Sequence, residues 1–123
     1  TVTREDLARG QHHEDAVCAV HFGVDIHSTD KKDGTGQDTA GHEAKVQPYT
    51  IPFRALIAQD VSNLLLAGRC ISGDFVAHSS YRVTGVAAAT GQAAGVAATL
   101  SAKKGLAPVA LLWSDVREAI RNI

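Results

Sequence analysis

The chain has no methionine, and its 123 residues hold only one tryptophan, two tyrosines, three phenylalanines, three prolines and two cysteines. With no methionine and Thr1 in first place, it is expected to be trimmed, cleaved or cut from a longer product. No basic start followed by an apolar run is visible, so no signal peptide is read. Cys18 and Cys70 form no CxxC pair and read as buried free thiols; their spacing does not decide for or against a disulfide. An excess of one charge is missing too. Twelve basic and 13 acidic residues give a net charge of −1, which offers no polyanion-binding footprint and excludes nucleic acid as an expected partner. At 45% hydrophobic and 20% charged, the chain is globular rather than disordered, and is one modest domain or part of a larger one.

Catalytic and metal signatures are likewise sparse. His12, His13, His21 and His27 crowd one region beside Glu14, Asp15 and Asp25, yet no HExxH or Cys–His spacing is present. The cluster reads as polar surface, and no metal ligand is assigned. Ser79-Ser80 beside His78 resembles a nucleophile site only superficially, because no G-x-S-x-G elbow surrounds it. Gly34-Thr-Gly36 follows no strand and opens no apolar helix, so the loop His27–His42 reads as solvated rather than as a dinucleotide fingerprint.

What is present divides into short elements. Thr3 is an N-cap signal and Gly10 a stop, predicting a helix over Thr3–Arg9. Asp15–Ile26 is valine-rich and predicts one or two short strands, with Gly23 as a bulge. Pro48 and Pro52 confine Ala44–Leu56 to edge or irregular strand, and Arg54 within it needs a partner or water. Leu64–Ala67 predicts a strand buried on both faces. A loop over 72–82 leads into one long helix, Val83–Lys104, stopped by Gly105 and Pro108. Ser114 is read as the N-cap of a last helix ending at Arg121.

From Val83 to Ala102 no residue is charged, which leaves a choice between a membrane span and a core helix. Gly91-x-x-x-Gly95 is a small-xxx-small motif, but the run is mostly Ala, Gly, Thr and Val, with Gln92 in its middle and no flanking aromatic belt. A helix buried on most sides inside a sizeable protein is the better reading. Gly85, Ala88 or Ala89, Gln92 and Gly95 or Val96 then fall near one stripe, able to lie against a sheet, a helix or a planar ligand. At the helix start, free amides and the positive dipole end combine with Gly85, Arg82 and His78 into a site for negative charge. The alternative is a capped helix with Arg82 on the surface and His78 in a loop.

The order NLLLAGRCIS, then VAHSSYRVTGVAAATGQAAGVAA, resembles the C-terminal flavin-contacting segment of FAD-dependent oxidoreductases of the glutathione-reductase-like superfamily. More distantly it is similar to the fumarate reductase and succinate dehydrogenase flavoprotein group. FGVDIHS, YTIPFRAL and SDVREAIRNI extend the resemblance over most of the chain. It implies that Ala67, Gly68 and Arg69 end the last Rossmann strand and that Gly85, Val86 and neighbouring amides meet the pyrimidine edge of the flavin. Gly68, Arg69, Gly85, Val86 and Gln92 are therefore the expected cofactor-side residues. Arg82 aligns with an arginine that binds a substrate carboxylate; His78 and Arg54 are further substrate-side candidates.

That family also needs an N-terminal G-x-G-x-x-G and a following acidic ribose-binding residue, which these residues lack. Only part of an FAD site is therefore expected, with the N-terminal FAD-binding part as a needed partner. The fold class implied is α/β, or α+β as an isolated fragment: an incomplete piece of an FAD/NAD(P)-binding Rossmann-like domain plus part of a β-rich substrate domain. Residues 1–62 are assigned to the substrate side and 63–123 to the FAD side. The expected function is hydride transfer between flavin and an organic small-molecule substrate of unspecified identity, in an intact enzyme. A stand-alone interaction module and a small membrane-associated protein are the competing readings. Self-association of the fragment is a further expectation, and the sequence leaves open a soluble cytoplasmic or periplasmic setting.

Overall fold

The computed structural model describes residues 1–26 and 46–123, so the loop His27–His42 and the first residues of the Ala44–Leu56 segment lie outside the described residues. In chain order the elements are helix α1 (Arg4–Arg9), strands β1 (Ala16–Val20) and β2 (Tyr49–Pro52), and helices α2 (Phe75–Tyr81), α3 (Thr84–Lys104) and α4 (Trp113–Arg121). Short 3-10 turns occupy Phe53–Leu56, Gly68–Cys70 and Pro108–Ala110. Helices thus combine with a two-stranded antiparallel sheet in a mixed helix-and-strand architecture.

α1 forms where its caps place it. Thr3 and Asp6 close a reciprocal capping box, with the Thr3 amide donating to Asp6 Oδ2 at 2.8 Å. Gly10 ends the helix at φ 64°, where a Cβ would meet Gln47 Cβ at 2.8 Å and Pro48 O at 3.0 Å. β1 and β2 pair with Cys18 opposite Ile51 and Val20 opposite Tyr49. The one irregularity lies between Ala16 and Cys18, not at the expected Gly23, which is exposed beyond the strand. Pro52 tolerates β2 because it is the last strand residue, and the chain turns at once into Phe53–Leu56.

Three expectations give way to tertiary context. Leu64–Ala67 is not a strand buried on both faces: Leu65 makes a single bridge to Ile57, and Leu64 is 42% exposed. A segment with one short neighbour cannot build a ladder along both edges. The expected loop over 72–82 contains α2, because Asp74 caps it by accepting from the Ala77 amide at 2.8 Å, while Ala77, Ser79, Ser80 and Tyr81 are buried. The long helix therefore starts after a corner, at 96° to α2. α4 has its cap two residues earlier than the expected Ser114, at Leu112, which makes no side-chain cap bond.

α3 is also less buried than expected. Its covered face is Val86, Thr90, Ala93 and Ala97, spaced as one helical stripe. Gly85, Gly91, Gln92 and Gly95 are exposed, so the stripe expected through Gly85 and Gln92 faces outward. Small residues all round give the helix no side that must be inside; the large neighbours choose it. The elements against the helix are β1, the 3-10 turns and α4, and the core they share holds Val20, Tyr49, Ile51, Phe53 and Leu56 together with Val2, Leu7, Tyr81 and Val116. Trp113 brings α4 in, its ring stacked on Phe53 at 5.3 Å and 25°. No single described helix is long and apolar enough to cross a membrane; α2 and α3 reach that length and hydropathy only as the bent pair.

Candidate functional site

The corner between α2 and α3 gathers half of the expected site residues. His78 and Arg82 sit at the end of α2, and Gly85 and Val86 open α3. Val83 is the residue before α3, and its side chain makes no cap hydrogen bond. The first amides of a helix have no partner of their own in it, so the positive end of a 21-residue helix is left to whatever approaches. An added Cβ at Gly85 would meet nothing within 4 Å, which leaves the backbone there open.

The turn Gly68–Cys70 packs onto the same stretch of α3. Gly68 is buried at φ 58°, a left-handed conformation that favours glycine, and a Cβ on it would press Ala87 Cβ at 3.3 Å. Its amide donates to the buried Thr90 hydroxyl at 2.9 Å, and that hydroxyl donates onward to the Val86 carbonyl at 2.7 Å. Gly68 and Val86 are thus brought together through Thr90. Arg69, next in the turn, is exposed. Gln92 is exposed on the open side of α3.

Arg82 is half-buried and engaged: its guanidinium donates to the Asp25 backbone carbonyl at 2.6 Å and lies 3.8 Å from the Asp25 carboxylate. His78 meets the Tyr81 ring edge-on at 5.4 Å. Beneath the corner, Tyr49 donates to Ser80 Oγ at 3.0 Å, and Ser80 donates to the Phe22 carbonyl at 2.6 Å. Burial pushes the Tyr49 hydroxyl up to about 12, with the Ser80 bond acting in the opposite direction, so it stays a neutral donor. Tyr81 is also raised, first by burial, and donates to the Ile71 carbonyl at 3.1 Å.

Arg54 stands apart from this corner. It ion-pairs with Asp15, and its other guanidinium nitrogen lies 2.9 Å from His13 Nδ1. The Asp15 carboxylate also accepts the Arg54 amide at 3.1 Å, so the partner Arg54 needed comes from the residues preceding β1. A cleft of about 490 Å³ has Arg54, Asp60, Cys70 and Ser72 on its walls. Cys70 is exposed rather than buried. A second cleft, about 720 Å³, lies at the far end of α3 between Leu64, Ala98 and Leu106 and contains none of the expected site residues. Among the described residues no three His, Cys, Asp or Glu side chains gather where they would hold a metal ion.

Sequence reasoning missed Thr90, Asp25 and the Tyr49–Ser80 pair. Thr90 carried one signal: it is the only hydroxyl four residues after Val86 in an alanine run. Asp25 and Tyr49 carried none, because their partners lie 57 and 31 residues away.

A helix start left open beside a glycine turn defines a class of backbone-built sites for anion-tending ligands. In comparison with family models, residues 1–120 match the model of the FAD dependent oxidoreductases, and the chain belongs to that family. The family implies FAD binding. No curated protein and no solved structure matches the chain.

Proposed function

We propose that this chain is the C-terminal portion of an FAD-dependent oxidoreductase of the glutathione-reductase-like kind. In this reading residues 63–123 complete a Rossmann-like FAD domain, and residues 1–62 belong to the substrate side. The observation that carries the proposal is the uncapped, glycine-opened start of α3, with the buried Gly68 turn fixed against its first turns. Those residues fit the cofactor: backbone amides for an anion-tending ring edge, and no side chain in the way at Gly85.

FAD, when bound, supplies two-electron chemistry with an organic substrate. Gly85, Val86 and the adjoining amides would hold its polar edge, with Gly68, Arg69 and Gln92 as further cofactor-side residues. Arg82 would orient a substrate carboxylate after exchanging its hold on Asp25, and His78 would bind beside it. Arg54, paired with Asp15 and His13, keeps a secondary substrate-side role. The pyrophosphate-binding half of the site would come from a strand–GxGxxG–helix unit, the partner segment these 123 residues lack.

The test is flavin content. Full-length protein carrying this chain is expected to purify with one FAD per chain, and Arg82→Ala to keep FAD while losing tenfold or more of its turnover, about 1.4 kcal/mol of transition-state binding. Stoichiometric FAD on residues 1–123 alone would contradict the half-site reading. A colourless full-length protein that binds no added FAD would replace the oxidoreductase with a non-catalytic module that kept the scaffold.

A further inference from the structure

We propose that Thr90 is a positioning residue for the flavin site, the joint that locks the Gly68 turn to the start of α3. The inference rests on the proposed FAD site but adds a residue that touches neither cofactor nor substrate. Three observations converge on one hydroxyl. Thr90 is fully buried, so water does not substitute for its bonds. It accepts the Gly68 amide at 2.9 Å and donates to the Val86 carbonyl at 2.7 Å, with the Ala87 carbonyl a further 3.2 Å neighbour. Gly68 itself has no slack: it is buried at φ 58° and a Cβ would already crowd Ala87.

The consequence is geometric. Gly68 and Val86 belong to segments 18 positions apart, joined by residues 71–74, which bond to Val2 and Ala55, and by a seven-residue helix. Both are expected to present backbone to the same ligand. Their relative placement is set where one hydroxyl is bonded to both, and preorganised backbone donors lose effect when their spacing relaxes. A valine at 90 has the same shape but no acceptor, so it would leave the Gly68 amide buried and unpaired, and the turn would move to find water. Serine keeps the bond and drops only a methyl group.

The experiment compares Thr90→Val, Thr90→Ser and wild type in the full-length protein. FAD affinity is measured well below each unfolding midpoint, together with the visible absorption band of the bound flavin. Thr90→Val is expected to weaken FAD binding about tenfold and shift the band, while Thr90→Ser restores both to within about twofold. A Thr90→Val protein with a lower unfolding midpoint but unchanged FAD affinity and spectrum would overturn the proposal and make Thr90 a core residue only. If Thr90→Val does not fold, Thr90→Cys decides, because its sulfur is a weak acceptor of near-equal size. Unchanged FAD binding in that variant overturns the inference, and graded weakening supports it. Wild type that binds no FAD fails the underlying reading instead, a distinct result.

Discussion

α2 and α3 begin nine residues apart and treat their first amides in opposite ways. At α2, Asp74 accepts from the Ala77 amide at 2.8 Å and from the Arg4 amide at 2.7 Å, tying the helix start to α1. Gly73 beside it pairs with Val2, and Tyr81 lies where a Gly73 side chain would go. At α3 the cap residue Val83 offers no side-chain bond, and no described residue lies within 4 Å of a Cβ placed on Gly85. Both starts face the same solvent and have the same electrostatic need. One is closed by the chain's own residues and serves the fold; the other is left open at a stability cost that a ligand can offset.

The contrast is breakable at several points. The largest effect is expected at the closed start. Gly73→Ala places a Cβ 2.6 to 2.9 Å from Tyr81 ring atoms and should cost about 3 kcal/mol, read as a lower urea midpoint. Flavin affinity should fall only in proportion to unfolding. Asp74→Ala removes one cap bond and one tie to α1, and should cost about 1 to 2 kcal/mol in the same assay. If Asp74→Ala is neutral, α2 is held by burial alone and its start is not closed in the sense argued.

At the open start the sign should split. Thr84→Asp puts a negative charge in the first turn of α3, and is expected to raise stability by about 0.5 kcal/mol while weakening FAD several-fold. Parallel gains in both would show that the start faces no anion-tending group. The smallest effect lies at the far end of α3, where Lys104 bonds Asp115 of α4. The Lys104 hydrogen bond, then its charge, holds the Asp115 carboxyl below the usual 3.8. Its folded value is depressed, so its contribution is present above the unfolded value and is lost as pH falls through the folded one, below about 4. Asp115→Asn should flatten that acid limb slightly and leave neutral-pH stability unchanged in high salt.

Much of this was legible in the chain. The Thr3 cap, the Gly10 stop and the Lys104–Gly105 end of the long helix are local signals, carried by residues within a few positions of one another, and the AGR…GQAAG array is a longer pattern over residues 67–95. α2 was not legible, because FVAHSSY is short, polar and rich in residues that suit loops as well as helices. It became a helix through the Asp74 cap together with the burial of Ala77, Ser79, Ser80 and Tyr81. Likewise the strand pattern of Leu64–Ala67 met too little neighbouring backbone to form a ladder.

The sequence by itself therefore determined the punctuation of this protein and its family: where α1 and α3 stop, and which residues are candidates for a flavin, while leaving open whether the start of α3 is capped. Tertiary structure alone decided which face of α3 is covered, that Arg82 is held by Asp25, and that Thr90 joins Gly68 to Val86. The physical reason is range. Caps and glycine stops act within one turn and are written in adjacent residues, whereas an alanine-rich helix has no preferred side until larger residues far along the chain pack against it.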